Sequence, residues 1–259
     1  MPYELLSWYL KLPLFALVLA RLAGMIAWQP VLSALAVPAH LRAIMILALA
    51  AMVTPLIQSP PAVPDTAAGL SLAMAGEAAL GVLMGLAIAA CLAGAQLGGL
   101  LIAQESGLAI GQIADPSSGE EESLLSSFYG QIALVVYMVV GGHRALLTAC
   151  LDTFDRLPLL SDGGAMRLGA DLLVKTLTVA SATAIRIAAP AVLTLFLVNL
   201  AMGFIARTVP QLNVVTVGFS IKALIGFAIM AVALPSAMNA FVSALDISLE
   251  WLHELIGTM

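Results

Sequence analysis

Long apolar stretches separated by short polar connectors run the length of this chain. Residues 12–29 form the first, closed by Pro30, and residues 43–57 the second, closed by Pro55 and the cluster Pro60, Pro61 and Pro64. Each approaches the roughly 20 residues with which a helix crosses a hydrocarbon core of about 30 Å. Prolines delimit them because a proline has no N–H with which to continue a helix. Residues 70–104 are different, with Glu77 their only charge. A helix over them measures about 50 Å at 1.5 Å per residue and must tilt, kink or project.

Residues 105–123 are polar and read as a loop or short helix outside lipid, followed by an apolar stretch at 124–141 and the pair His143 and Arg144. A polar connection at 152–167, with Pro158, Gly163 and Gly164, is the best boundary between two halves. Beyond it, 168–205 and 214–256 read as two overlong helices joined through a connector at 207–216 that Pro210 breaks, which makes a helical hairpin. Pro190 is expected to kink the first of them. The pattern predicts an all-α integral membrane protein of about six long helical segments.

Within 70–104, Gly81 and Gly85, then Gly94 and Gly98, stand four apart. Small residues at that spacing let helix backbones approach closely where lipid offers no hydrophobic gain. Ordinary tolerance of glycine in membrane helices is the alternative.

Composition removes the soluble reading. The chain is 62% hydrophobic and 10% charged, against about 45–50% and about 25% in soluble domains. The net charge of -5 comes largely from the acidic loop with Glu120, Glu121 and Glu122, so it points to neither nucleic acid nor a basic membrane patch. Cys91 and Cys150 lie in apolar stretches and read as small core residues. At the N-terminus Glu4 precedes Lys11 and no Ala-x-Ala site closes a short apolar region, so the first segment is expected to stay in the mature protein.

Charge placement changes the picture more. Arg21, Lys175, Arg186 and Lys222 sit within apolar stretches, whereas Glu77 is the only comparable acid. A charge at helix centre costs about 2.5–3.5 kcal/mol on insertion scales unless it finds an acid, a carbonyl or water. With more such cations than acids, the chain reads as a subunit whose charged and small-residue faces meet other subunits. Snorkelling to the interface is the alternative, and it suits Lys175 and Lys222 better than Arg21 and Arg186.

No catalytic set is found. His40, His143 and His253 are isolated from one another, so no zinc-protease motif arises. Gly218-Phe219-Ser220 begins like a nucleophile elbow, but Lys222 replaces the last glycine. Asp171 and Asp246 lie at segment edges, and no phosphate-binding loop occurs. The acidic run at Glu120 lacks the alternating ligands of a calcium loop. A non-enzymatic protein without metal or cofactor is expected.

The stretch 206–222 gathers polar residues in a specific order: Arg207, Pro210, Gln211, Leu212, Asn213 and Val214, then Val217, Gly218 and Phe219, then Lys222. Collinear positions extend this over almost the whole chain: Arg21, Pro30, Pro38 and Arg42; Glu77, Gly81 and Gly85; Gly98, Gln104, Gly107, Asp115 and Pro116. They continue through Gly142, His143, Phe154, Pro158, Pro190, Asn199 and Gly203. On these residues the chain resembles the FliR family of flagellar biosynthetic proteins, export-gate subunits of type III secretion, with its virulence-system relatives. Ser220 departs from the proline usual after the Gly-Phe pair, which leaves room for the helix to continue there.

The resemblance implies a FliP-like part at 1–151, a connector at 152–167 and a FliQ-like hairpin at 168–259. It implies a pore plug near 105–122 with Ile110, Gly111, Gln112 and Ile113 at its core and Asp115 and Pro116 beside them; a solvated loop is the alternative. Arg207, Gln211, Asn213 and Lys222, with Arg186, are then candidates for polar contacts between subunits, and Arg21 and Glu77 for an internal or intersubunit pair. The implied partners are FliP, FliQ, FlhB and FlhA, unfolded flagellar substrates and membrane lipid, with no nucleic acid. The implied place is the flagellar basal body in the bacterial inner membrane. A virulence-system subunit and a stand-alone secondary transporter are the rivals; the second would show an inverted repeat, and the hairpin has no clear counterpart near the N-terminus.

Overall fold

The structure is a computed structural model that describes residues 2–31, 37–57, 66–108, 123–156, 159, 164–208 and 214–257. Side chains are described over 12–31, 37–57, 66–108, 123–154, 159, 170–208 and 217–252. Seven α-helices and no strand occur among the described residues: α1 (Pro2–Ala27), α2 (Ala39–Val53), α3 (Ala67–Ser106), α4 (Leu124–Val140), α5 (Gly142–Arg156), α6 (Gly164–Thr208) and α7 (Val214–Gly257). Four described helical stretches are long and apolar enough to span a membrane, or five if α4 and α5 make one broken span.

Local chemistry explains where most of these helices start and stop. The carbonyl of Pro38 accepts from the Leu41 and Arg42 amides at the head of α2. A 3-10 turn, Thr54–Leu56, closes α2, and the Thr54 hydroxyl donates to the Ala50 carbonyl at 2.7 Å. Gly107, at φ 78°, ends the 40-residue α3 in the left-handed region that favours glycine. Ser123 heads α4, its hydroxyl accepting from the Ser126 amide at 3.1 Å. Gly141, at φ 80°, separates α4 from α5 and accepts the Arg144 and Ala145 amides.

Three boundaries differ from the sequence expectation. α1 begins at Pro2 rather than near Leu12 and runs through Pro13, because a proline removes one backbone bond without removing those around it. α5 extends to Arg156 and α6 starts at Gly164, so both ends of the expected polar connection at 152–167 are helical. The polarity of α5 misled because it is one-sided: Leu146, Ala149, Cys150 and Thr153 are buried at helical spacing, while Arg144 and Thr148 are exposed. α7 runs through Ser220, in line with the expectation of one helix over 214–256.

The helices group into two compact units. One comprises Met1–Ala90, Gly141–Leu177 and Asp246–Met259; the other comprises Cys91–Val140 and Thr178–Leu245. In the first, α1 packs against α2, and Leu17, Val18, Met25, Leu146 and Cys150 are fully or almost fully buried. In the second, Ala95, Ile102, Tyr129, Ile187 and Phe241 form the buried centre. Both units draw on separated stretches of sequence, so compactness and the resemblance to two partner subunits divide the chain along different lines.

Candidate functional site

In the first unit an ionic centre lies in an apolar interior. Arg21 of α1, Glu77 of α3 and Thr153 of α5 are all buried, Arg21 to 1% exposure. Arg21 Nη2 lies 2.6 Å from Glu77 Oε2 and Arg21 Nε donates to the same oxygen at 2.7 Å. Arg21 Nη1 donates to Thr153 Oγ1 at 2.9 Å, and the Thr153 hydroxyl donates in turn to the Cys150 carbonyl. The guanidinium carbon sits 4.7 Å from the centroid of the Phe154 ring. One cation is thus held by a carboxylate, a hydroxyl and an aromatic face from three helices, contacts that together can offset the cost of removing it from water.

Glycines bring the helices close enough. A side chain on Gly24 of α1 would strike the Ala78 carbonyl, and one on Gly81 of α3 would strike the Arg21 carbonyl. A Cβ on Gly85 would lie 2.6 Å from the Met25 carbonyl oxygen. Gly24, Gly81 and Gly85 therefore set the α1–α3 spacing at the level where Arg21 meets Glu77.

In the second unit, Gly94 and Gly98 serve a different neighbour. A Cβ on Gly94 would lie 2.6 Å from the Ala180 carbonyl oxygen, and one on Gly98 would lie 2.8 Å from Ile187 Cγ2, both on α6. The four glycines of α3 singled out by spacing thus divide between α1 and α6. Sequence reasoning passed over Gly24 and Thr153. Thr153 stands 132 residues from Arg21 and has no local mark, whereas Gly24 lies one helical turn from Arg21 and was open to inspection.

The cations of the hairpin stand otherwise. Lys175 pairs with Asp171 one turn away at 3.1 Å and lies 5.6 Å from the Trp251 ring centroid. Arg186 and Arg207 are exposed and Lys222 is half-buried. Among the described residues none of these three makes an ion pair. Ile110, Gly111, Gln112, Ile113, Asp115, Pro116, Gln211 and Asn213 lie outside the described residues. Among the described residues no three His, Cys, Asp or Glu side chains converge as metal ligands.

The chain is similar to known proteins. The profile of the family described as bacterial export proteins, family 1, matches residues 12–247. The chain is 29% identical over 249 residues to the flagellar biosynthetic protein FliR of Bacillus subtilis (strain 168), covering 95% of each chain. It is 28% identical over 233 residues to the FliR of Escherichia coli (strain K12), covering 88% of this chain and 87% of that one. A shorter likeness, 26% over 132 residues, covers 51% of this chain and 50% of the surface presentation of antigens protein SpaR of Shigella sonnei. With the family profile matched from Leu12 to Ile247, the chain belongs to the bacterial export proteins, family 1.

Proposed function

We propose that this chain is a subunit of the flagellar type III protein export gate, a helical membrane component that helps form the passage for unfolded flagellar proteins. The observation that carries this is the collinear likeness to the Bacillus subtilis FliR over 95% of both chains. The equivalent virulence-system subunit is the second reading, favoured by the SpaR likeness, but that likeness covers only half of each chain. Deleting the gene and restoring it on a plasmid tests the two. The flagellar reading expects loss and recovery of hook and filament export with motility. Intact flagellar export beside a lost virulence secretion would select the second.

In this reading the gate lies in the bacterial inner membrane and assembles with FliP and FliQ, beside FlhB and FlhA. The chain acts by packing and by yielding, and it performs no bond chemistry. The 1–151 part is FliP-like, the 168–259 part is a FliQ-like hairpin, and 152–167 joins them. The segment near 105–122, centred on Ile110, Gly111, Gln112 and Ile113 with Asp115 and Pro116, plugs the pore and gives way to an arriving substrate, an order-to-disorder gate. Arg207, Gln211, Asn213 and Lys222 make polar contacts with neighbouring subunits, a reading supported by Arg207 and Lys222 making no ion pair among the described residues.

A further inference from the structure

The contact between α1 and α3 contains a repeat that its glycines alone do not resolve. As α3 advances from Gly81 to Gly85, its neighbours on α1 advance from Arg21 and Met25 to Met25 and Trp28, so the two helices run in the same direction. A Cβ on either glycine would collide with the α1 backbone. The four-residue step continues along α3 to Ala89 and Ala93, also small. Residues four apart share a helix face, and small residues on that face admit a second backbone at each turn.

If α1 moved one turn toward Ala89, Gly85 would take the place of Gly81, and Ala89 that of Gly85. Gly24, which lies against the Ala78 carbonyl and the Val82 amide, would meet the backbone of Val82 and Leu86 instead. Ala89 is the tighter fit, yet its seat lies at the last turn of α1, which ends at Ala27, where the helices can part slightly. The opposite step is closed, because it puts Glu77 where Gly81 leaves no room for a side chain. α1 is the helix to move, since the second half of α3 is seated through Gly94 and Gly98 on α6.

Apolar packing thus leaves two alignments, and charge separates them. The step is about 6 Å, four residues at 1.5 Å each. It carries Arg21 away from Glu77, Thr153 and Phe154 to the level of Gly81, and α3 offers no other acid, because Glu77 is the only charged residue between 70 and 104. We infer that the Arg21–Glu77 pair, with Thr153 and Phe154, is a register lock that holds α1 and α3 in one of two sterically allowed alignments one turn apart. A buried pair of small net worth still weighs at least about 100-fold against an alignment that strands its arginine without an acid. The inference concerns packing within this chain and is independent of its role in export.

Pulsed electron spin resonance on the detergent-solubilised full chain reads the alignment as a distance. Trp28→Cys and Leu72→Cys put spin labels at exposed positions, one beside the end of α1 and one on α3. Cys91 and Cys150 are buried, and the single-cysteine variants show what they add. With the ion pair intact, one distance is expected. With Arg21→Met and Glu77→Met, a second distance about 5–6 Å longer should appear, rising from under about 1% of molecules to a readily measured share. A single unchanged distance would overturn the proposal, as would two distances with the pair intact. A second variant decides the matter even where the first fails to fold. Glu77→Ala, Gly81→Glu and Ala89→Gly together move the acid and the glycines one turn along α3, so the longer distance should predominate. The native distance alone, or failure of this variant to fold, would show that no second seat exists and would overturn the lock.

Discussion

The Arg21 centre and the α6–α7 hairpin answer the same problem, a cation in an apolar chain, in opposite ways. At Arg21 the chain supplies every contact itself: a carboxylate, a hydroxyl and an aromatic ring from three helices, with glycines that let the backbones meet. On the hairpin Arg186 and Arg207 are exposed and make no ion pair among the described residues, amid exposed Leu193, Phe196, Leu197 and Phe204. The spanning window of α3 is 50% buried within the chain and that of α7 only 11%. One region closes its cation within its own sequence, and the other leaves its cations exposed.

The strongest way to break this comparison is to remove one partner of the closed centre. Glu77→Ala leaves Arg21 buried without its acid and should destabilise the detergent-solubilised chain by about 3–5 kcal/mol. The measure is its thermal unfolding midpoint by fluorescence-detected size exclusion. The double replacement Arg21→Met with Glu77→Met should recover most of that loss, because apolar residues of similar volume often replace a buried pair without penalty. A double variant as unstable as E77A would mean that the centre does more than neutralise itself.

Thr153→Val keeps the shape and deletes the hydroxyl that accepts from Arg21, so a loss of about 1.5–3 kcal/mol is expected in the same assay. An unchanged midpoint would remove Thr153 from the centre. The hairpin should behave in reverse. A Cβ on Gly203 meets nothing within 4 Å, so Gly203→Ala should leave the solubilised chain unharmed or stabilise it by about 0.5–1 kcal/mol. The same substitution should lower export in cells if a neighbour packs against that face; unimpaired export, read from secreted filament protein, would make the face lipid-exposed. The smallest effect belongs to Lys175→Met, since its pair with Asp171 is largely exposed. A shift of at most about 1 kcal/mol is expected, diminishing further with added salt.

Much of this was legible in the sequence for a physical reason: charge inside an apolar run is scarce, so each instance is informative. The lengths of α3, α6 and α7 follow from runs too apolar for anything but a spanning helix. The four glycines of α3 stand out by spacing, but spacing cannot name their neighbours, because Gly94 meets Ala180 only through the tertiary fold. The third arm of the centre was hidden for the same reason. Thr153 lies between Asp152 and Asp155 in a stretch whose polarity resembles a loop, and only the buried side of α5 reveals a helix. The continuation of α7 through Ser220 was open in the sequence because no proline stands between Val214 and Leu234.

The buried pair also has a history in time. Arg21 is made 56 residues before Glu77 and 132 before Thr153. At roughly 5–20 residues per second, the cation waits some seconds on the ribosome's schedule before its acid exists. A lone arginine is a poor passenger for a membrane interior. The order in which the chain is written thus places the acid that offsets Arg21 on a helix made after it.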